Sequence, residues 1–449
     1  MKRTALLNVV GLTAPLLGRM PKLSGFAANC RVASVVPAFP AVTCTAQSTY
    51  LTALAPAEHG IVGNGWYNRE LAEVHFWKQS NRLVHGRKVW EELRETTPSF
   101  TCANLFWWYN MYSTVDYSIT PRPMYPADGR KVFDVYTAPS SIRPEIKKDL
   151  GEFPFRNFWG PAAGVESSRW IAESAKWIEE RYRPTLTLIY LPHLDYNLQK
   201  LGPNHPAIAT DLEELDALLA DLIGFLKEHE IQIAIVSEYG ITEVNRPIHL
   251  NRIFRTQGWI TIKEELGLEM IDCGASKVFA VADHQVAQIY VADPALAPRV
   301  REIVEAQPGV SGLVGQMHPR GGDFVAVADE RSWFTYYYWL DDVVAPDFAR
   351  TVDIHRKIGY DPAELFIDPE IKFPAARVAS FLFKKRLGLR GLLSVIPLDA
   401  KLVRGSHGRM PERAEDWPIL TVEKEVEGFG PELPATAVYG IIKSLCLTE

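Results

Sequence analysis

The constraint that most limits the fold is a repeated order of strand, polar cluster and helix. Ala5–Val10, Arg31–Val36, Leu186–Leu191 and Ile231–Val236 are short, largely apolar runs, the pattern of strands buried on both faces rather than half-exposed ones. The first ends in Gly11, the second leads into a hydroxyl-rich stretch, the third into PHLDYNLQKLGP and the fourth into Ser237-Glu238-Tyr239-Gly240. Amphipathic helices are predicted over Ser167–Tyr182 and Ile208–His229. Such an order implies an α/β fold with a mostly parallel sheet and helices on both faces. In such sheets ligands bind outside the carboxyl ends of the strands, so the polar clusters should meet in space.

With 449 residues and 47% hydrophobic content the chain can bury a large core. From Arg252 to Asp323 the pattern shifts to alternating runs around one helix, so residues 252–323 read as a small α+β insertion in a core formed by 1–251 and 324–449. The net charge of −6, with no long basic run, favours neither a nucleic acid polymer nor an anionic membrane as partner. Five scattered cysteines lack CxxC or CxxH spacing, which fits a reducing, cytoplasmic setting. Lys2 and Arg3 precede an apolar run broken by Asn8, Gly11 and Pro15, which reads as a first strand rather than a leader peptide.

The stretch Phe39–Tyr67 is dense in small hydroxyl residues and poor in charge. An extended lead with Pro37 and Pro40 passes into a helix, stopped by Pro56. A strand that ends at a helix start offers free N–H groups and a positive dipole end to a phosphate, so a hydroxyl there is a candidate nucleophile. Capping and packing of a buried helix start is the alternative reading. His193 and Asp195, read as the end of a strand, point to one side and would suit zinc, manganese or magnesium. Glu238 closes an apolar strand, where a carboxylate needs a partner, and His407 sits in a glycine-flanked loop. The aromatic block Thr101–Tyr117 reads as core, with a pocket wall as the second reading.

Together these segments resemble the nucleotide pyrophosphatase/phosphodiesterase branch of the alkaline phosphatase superfamily. The likeness runs from Phe39 through the HGI turn to Asn64, then LPHLDYNLQKLGP, VSEYGIT and GSHG in the family's order. It implies a phosphomonoester or phosphodiester hydrolase with a phosphorylated intermediate on Thr43, Asn64 holding a phosphoryl oxygen, and a two-metal clamp. Asp195 and His407 fall where the family places ligands of one metal. The departures are Val10-Gly11 for an Asp-Gly pair, Glu238-Tyr239-Gly240 for Asp-His-Gly, and Gln199 for a His. Two complete sites are therefore not expected. The expectation is a remodelled divalent metal site, zinc or manganese, on Asp195, Glu238 and His407, with His193, His249, His284, Asp353 and His355 as available substitutes. Tyr239 could serve in a cation's place by donating its phenolic proton to a developing oxyanion.

Two functions follow from this pattern. One is hydrolysis of a small phosphorylated substrate by Thr43. The other is a degenerate relative that binds a phosphorylated metabolite or a partner protein without cleaving it. Transfer of a phosphoryl-type group to an acceptor other than water is a third.

Overall fold

The computed structural model describes residues 1–128, 130–389 and 391–447. Among these a nine-stranded sheet forms the body of the molecule, its strands numbered here in chain order: β1 (Thr4–Val9), β2 (Arg31–Val36), β3 (Cys102–Leu105), β4 (Tyr117–Pro121), β5 (Val135–Ala138), β6 (Leu186–Leu191), β7 (Gln232–Val236), β8 (Ile419–Val422) and β9 (Glu432–Pro434). The spatial order is β9-β2-β8-β7-β1-β6-β3-β4-β5. Only β5 and β8 run against the other seven. The sheet is thus mostly parallel, as the apolar runs imply. The N-terminal apolar run is the central strand β1, buried along its whole length.

Helices cover both faces in two sets. Pro21–Ala27, Val165–Tyr182, His193–Leu201 and Ile208–Glu228 pack among themselves, and Thr43–Thr52, Val89–Thr96 and Ala437–Leu447 form the other set. Pro121–Pro154, which reads as a surface excursion in sequence, instead contributes edge strand β5 and the helix Ile142–Leu150. Turn residues mark the flanks of this region and hide the short strand between them.

The insertion has a four-stranded sheet of its own, ordered Val278–Asp283, Val286–Val291, Phe324–Ala328, Val310–Gly315. The strand Phe324–Ala328 pairs antiparallel with both of its neighbours. The sequence boundary at 324 therefore cuts through this sheet, and the unit extends past it. A second hydrophobic core, with Phe279, Ile289, Trp333 and Trp339, lies under the insertion.

Register places the site. Val9 of β1 lies level with Leu191 of β6, and Asn8 with Val236 of β7, so the carboxyl ends of three adjacent strands finish together. The polar clusters that follow them are held side by side.

Candidate active site

All ten residues of the helix Thr43–Thr52 are buried, so it has no solvent face. Its hydroxyl residues tolerate burial because Ser48, Thr49 and Thr52 donate back to the carbonyls of Cys44, Thr45 and Ser48 at 2.7, 3.0 and 2.7 Å. These residues are structural, and Thr49 also meets His59 Nε2 at 3.0 Å. Thr43 is different. It begins the helix, and its Oγ1 lies 3.1 Å from the phenol oxygen of Tyr239.

The Tyr239 phenol also donates to Asp195 Oδ1 at 3.1 Å, while Gln199 Nε2 holds the other carboxylate oxygen at 2.8 Å. Burial pushes the Asp195 carboxyl up to about 7, against the pull of those two hydrogen bonds. Glu238 is fully buried and accepts Asn8 Nδ2 at 2.5 Å and Gln47 Nε2 at 2.6 Å on the same oxygen, Oε1. Its Oε2 has no hydrogen-bond partner. Burial drives its pKa to about 8, and the Gln47 and Asn8 amides and the Thr43 hydroxyl draw it back. Glu238 beside Thr43, and Asp195 linked to it through the Tyr239 phenol, thus have pKa values in the range useful for proton transfer near neutrality.

His407 donates from Nδ1 to the Ala41 carbonyl at 2.8 Å in the tautomer this contact requires, and its Nε2 stands 4.0 Å from Asp195 Oδ1. Burial holds it well below its ordinary pKa, so it is neutral. Its ring stacks on Tyr239 with centroids 3.5 Å apart and planes 5° apart, and on its other side meets His284 at 3.8 Å, which in turn stacks on Tyr360 at 4.0 Å. The turn carrying His284 comes from the insertion, with His284 in the left-handed region at φ 62°. The loop with His407 docks on that turn through a Gln285 N–H to His407 carbonyl bond of 2.8 Å. At Gly408, φ is 120° and a Cβ would stand 3.1 Å from the Gln285 nitrogen, so the close approach requires glycine.

Asn64 is 1% exposed and does not line the cavity. Its Oδ1 accepts the Cys44 N–H at 3.0 Å, and its Nδ2 donates to Asp283 Oδ1 at 3.0 Å. Asp283 also accepts the Asn64 N–H at 2.7 Å. Asn64 thereby fixes the start of the Thr43 helix to the insertion. Sequence reasoning missed Asn8, Gln47, Asp283 and Tyr360, and no motif marks them. Gln47 lies one turn along the Thr43 helix, strand register brings Asn8 beside Glu238, Asp283 comes from the insertion and Tyr360 from a loop after it.

The remaining sequence candidates lie apart. His193 is read in the sequence as strand, but His193–Leu201 is a helix, where residues two apart diverge by roughly 200°. His193 therefore turns away from Asp195 and faces Asp211 and Glu214, its Nε2 at 3.7 and 3.5 Å from them. Asp353 and His355 line a neighbouring cleft, with His355 Nδ1 3.4 Å from the Phe76 carbonyl. His249 meets Thr335 at 2.7 Å.

Thr43, Asp195 and Tyr239 reach a cavity of about 40 Å³ walled by Trp77, Trp108, Trp159 and Tyr360. The second reading of the aromatic block thus holds for Trp108, while Phe106 and Trp107 belong to the core. No lysine or arginine lines this cavity among the described residues. The loop that carries Tyr360 is braced by Lys357, whose buried Nζ meets Asp361 at 2.6 Å and Glu364 at 2.7 Å.

A two-metal clamp does not fit this donor set. Val10, Gln199 and Tyr239 stand at three of the positions where the resemblance implies ligands, and the Tyr239 hydroxyl bridges Thr43 and Asp195 by hydrogen bonds. Among the described residues, the one group of three His, Cys, Asp or Glu side chains whose ligand atoms converge is His193, Asp211 and Glu214. Asp195, Glu238 and His407 do not converge in this way.

A mostly parallel sheet with a hydroxyl at a helix start beyond its strand ends, an insertion closing over it and polar groups from three neighbouring strands defines an alkaline-phosphatase-like α/β protein. A family model described as type I phosphodiesterase / nucleotide pyrophosphatase matches residues 4–361, and the chain belongs to that family. An uncharacterized pyrophosphatase/phosphodiesterase of Schizosaccharomyces pombe is 25% identical over 240 residues, which is 50% of this chain and 42% of that relative's length. Among solved structures, murine ectonucleotide pyrophosphatase / phosphodiesterase 5, in an inactive form in complex with AMP, superposes with a TM-score of 0.59 at 14% identity, covering 100% of this chain and 96% of the other. Phosphonoacetate hydrolase from Sinorhizobium meliloti 1021 in complex with phosphonoformate gives 0.59 at 13% identity, covering 99% and 96%. These structural likenesses carry the fold.

Proposed function

We propose that the chain cleaves phosphodiesters, with Thr43 as nucleophile, and that Tyr239 and Asp195 serve where the family resemblance implies a metal. The observation that carries this reading is the position of the Thr43 hydroxyl, at a helix start on the cavity wall, 3.1 Å from Tyr239. The Oε2 of ionised Glu238 receives the Thr43 proton as Oγ1 bonds to phosphorus and the P–O bond to the leaving alcohol breaks. The proton then passes from Glu238 to the departing alkoxide, and water hydrolyses the phosphothreonine to free the monoester. The Tyr239 phenol, with its pKa raised by burial, stays protonated, and its one proton turns from Asp195 to the charge that develops on a phosphoryl oxygen. The stacked His407 ring holds that phenol in place. A diester suits the cavity better than a monoester dianion, which would find no lysine or arginine there. The AMP of the murine relative's complex and the phosphonoformate of the bacterial one share a small phosphorus oxyanion, which supports a phosphorus-centred substrate.

The test is turnover of bis(p-nitrophenyl) phosphate and p-nitrophenyl phosphate by purified protein, with trapping of a phosphorylated enzyme. Diester turnover that disappears in Thr43→Ala is expected. A Thr43→Ala variant as active as the parent refutes the nucleophile.

A second reading, recognition of a phosphorylated ligand without cleavage, draws on the same residues, Val10, Gln199 and Tyr239, that depart from the implied ligand set. Calorimetric binding of a diester by protein that never turns it over would establish it.

A further inference from the structure

We propose that the helix Pro374–Arg386 and the residues after it, through Leu389, form a docking surface for an anionic lipid bilayer. The chain's overall charge of −6 disfavours such a partner, but that balance averages over a strongly asymmetric segment. From Ile371 to Leu389 there are five cations, Lys372, Arg377, Lys384, Lys385 and Arg386, and no Asp or Glu.

The helix is thirteen residues long and not one of them is buried. A helix of a globular protein ordinarily spends its apolar stripe on the core. Here only Pro374, Val378 and Phe381, which share one side, are partly covered. On the opposite side Ala376, Ala379, Phe383 and Leu387 recur at a spacing of three to four residues, all exposed. Phe383 is 64% exposed and Leu387 59%, while Phe373 before the helix reaches 75% and Leu389 after it 58%. Lys384 and Arg386 flank this outward apolar stripe. An exposed apolar stripe bordered by lysine and arginine is what seats a helix in the headgroup region of a bilayer, with rings and leucines inserted and cations on anionic lipid.

Charge selects this occupant over a second copy of the chain. A symmetric copy seated on the same face would bring Lys384 and Arg386 against their own counterparts, with no acid between Ile371 and Leu389 to offset them. No helix among the described residues is long and apolar enough to cross a membrane, so the contact is peripheral. Leu365 lines the cavity beside Thr43 and precedes the helix by nine residues. At most about 3.6 Å per residue separates them, so the cavity wall lies within about 32 Å of the start of the docking helix.

The 449-residue protein should co-sediment with phosphatidylcholine vesicles that contain phosphatidylserine and far less with phosphatidylcholine alone. Reversing Lys384, Lys385 and Arg386 together to Glu should weaken binding by at least about a hundred-fold, since each cation at such a surface contributes about five-fold. Phe383→Ser with Leu387→Ser should also abolish it, and both variants alter exposed side chains, so circular dichroism should match the parent. Absence of binding to the phosphatidylserine vesicles overturns the proposal, as does unchanged binding by the Phe383→Ser, Leu387→Ser variant. A parent dimer on gel filtration that this variant dissociates, with no vesicle binding by either, would assign the face to self-association and also overturn it.

Discussion

Replacing Glu238 by Gln should make the protein more stable at alkaline pH and less active at the same time. Glu238 is fully buried with a pKa of about 8, against 4.5 for the ordinary side chain. Because the folded-state value is raised, the unfolded chain ionises first as pH rises. The contribution is full below pH 4.5 and is lost progressively until the folded protein itself ionises near pH 8. Between pH 6 and pH 9 this loss amounts to about two pKa units, or on the order of 2–3 kcal/mol. Gln keeps an oxygen to accept from Asn8 and Gln47 and puts an amide where the acid hydroxyl would be, so it copies the protonated form. Urea denaturation of both proteins at pH 6 and pH 9 measures the effect. The parent should lose about 2–3 kcal/mol more than the variant over that interval, while diester turnover by the variant falls by about 100-fold or more for want of a base. Parallel loss of stability in the two proteins would refute the raised pKa. Undiminished turnover would remove Glu238 from the proton path.

Tyr239→Phe keeps the stack on His407 but removes the hydrogen bond that lowers the Asp195 pKa. The Asp195 carboxyl should therefore titrate above its present value of about 7, seen by carboxyl NMR, with turnover reduced. Chelation by EDTA should leave diester turnover unchanged, since the residues around Thr43 do not converge as a metal site; loss of activity restored by manganese or zinc would contradict this. Lys357→Met strands two buried carboxylates, Asp361 and Glu364, and should cost about 3–5 kcal/mol in thermal or urea unfolding.

Four strands of the main sheet, β1, β2, β6 and β7, are legible in the sequence as short, largely apolar runs, whereas β3, β4, β5, β8 and β9 are three to five residues long and carry no such run. Asp195, Glu238, Tyr239 and Thr43 are legible because strand ends of one direction share an edge. His193 is misplaced because a strand and a helix start look alike in so few residues, and the change of period from 2 to 3.6 reverses which side it faces. The site partners from afar were unreadable for a different reason. Asp283 and His284 depend on where an insertion settles over the sheet, which no local pattern encodes. The metal question turned similarly on geometry, since the phenol that bridges Thr43 and Asp195 is visible in sequence only as a tyrosine in a histidine's place.

The attachment of Asn64 to Asp283 has a practical meaning for anyone dissecting this chain. The segment that looks removable is the clasp that fixes the start of the Thr43 helix, and the ring ladder from Tyr239 to Tyr360 passes through its histidine. A trimmed version without the insertion would keep the whole sheet and still lose the register of its nucleophile. Natural variation in this lineage should accordingly lengthen or shorten the insertion at its far strands while leaving the Asp283-His284 turn untouched.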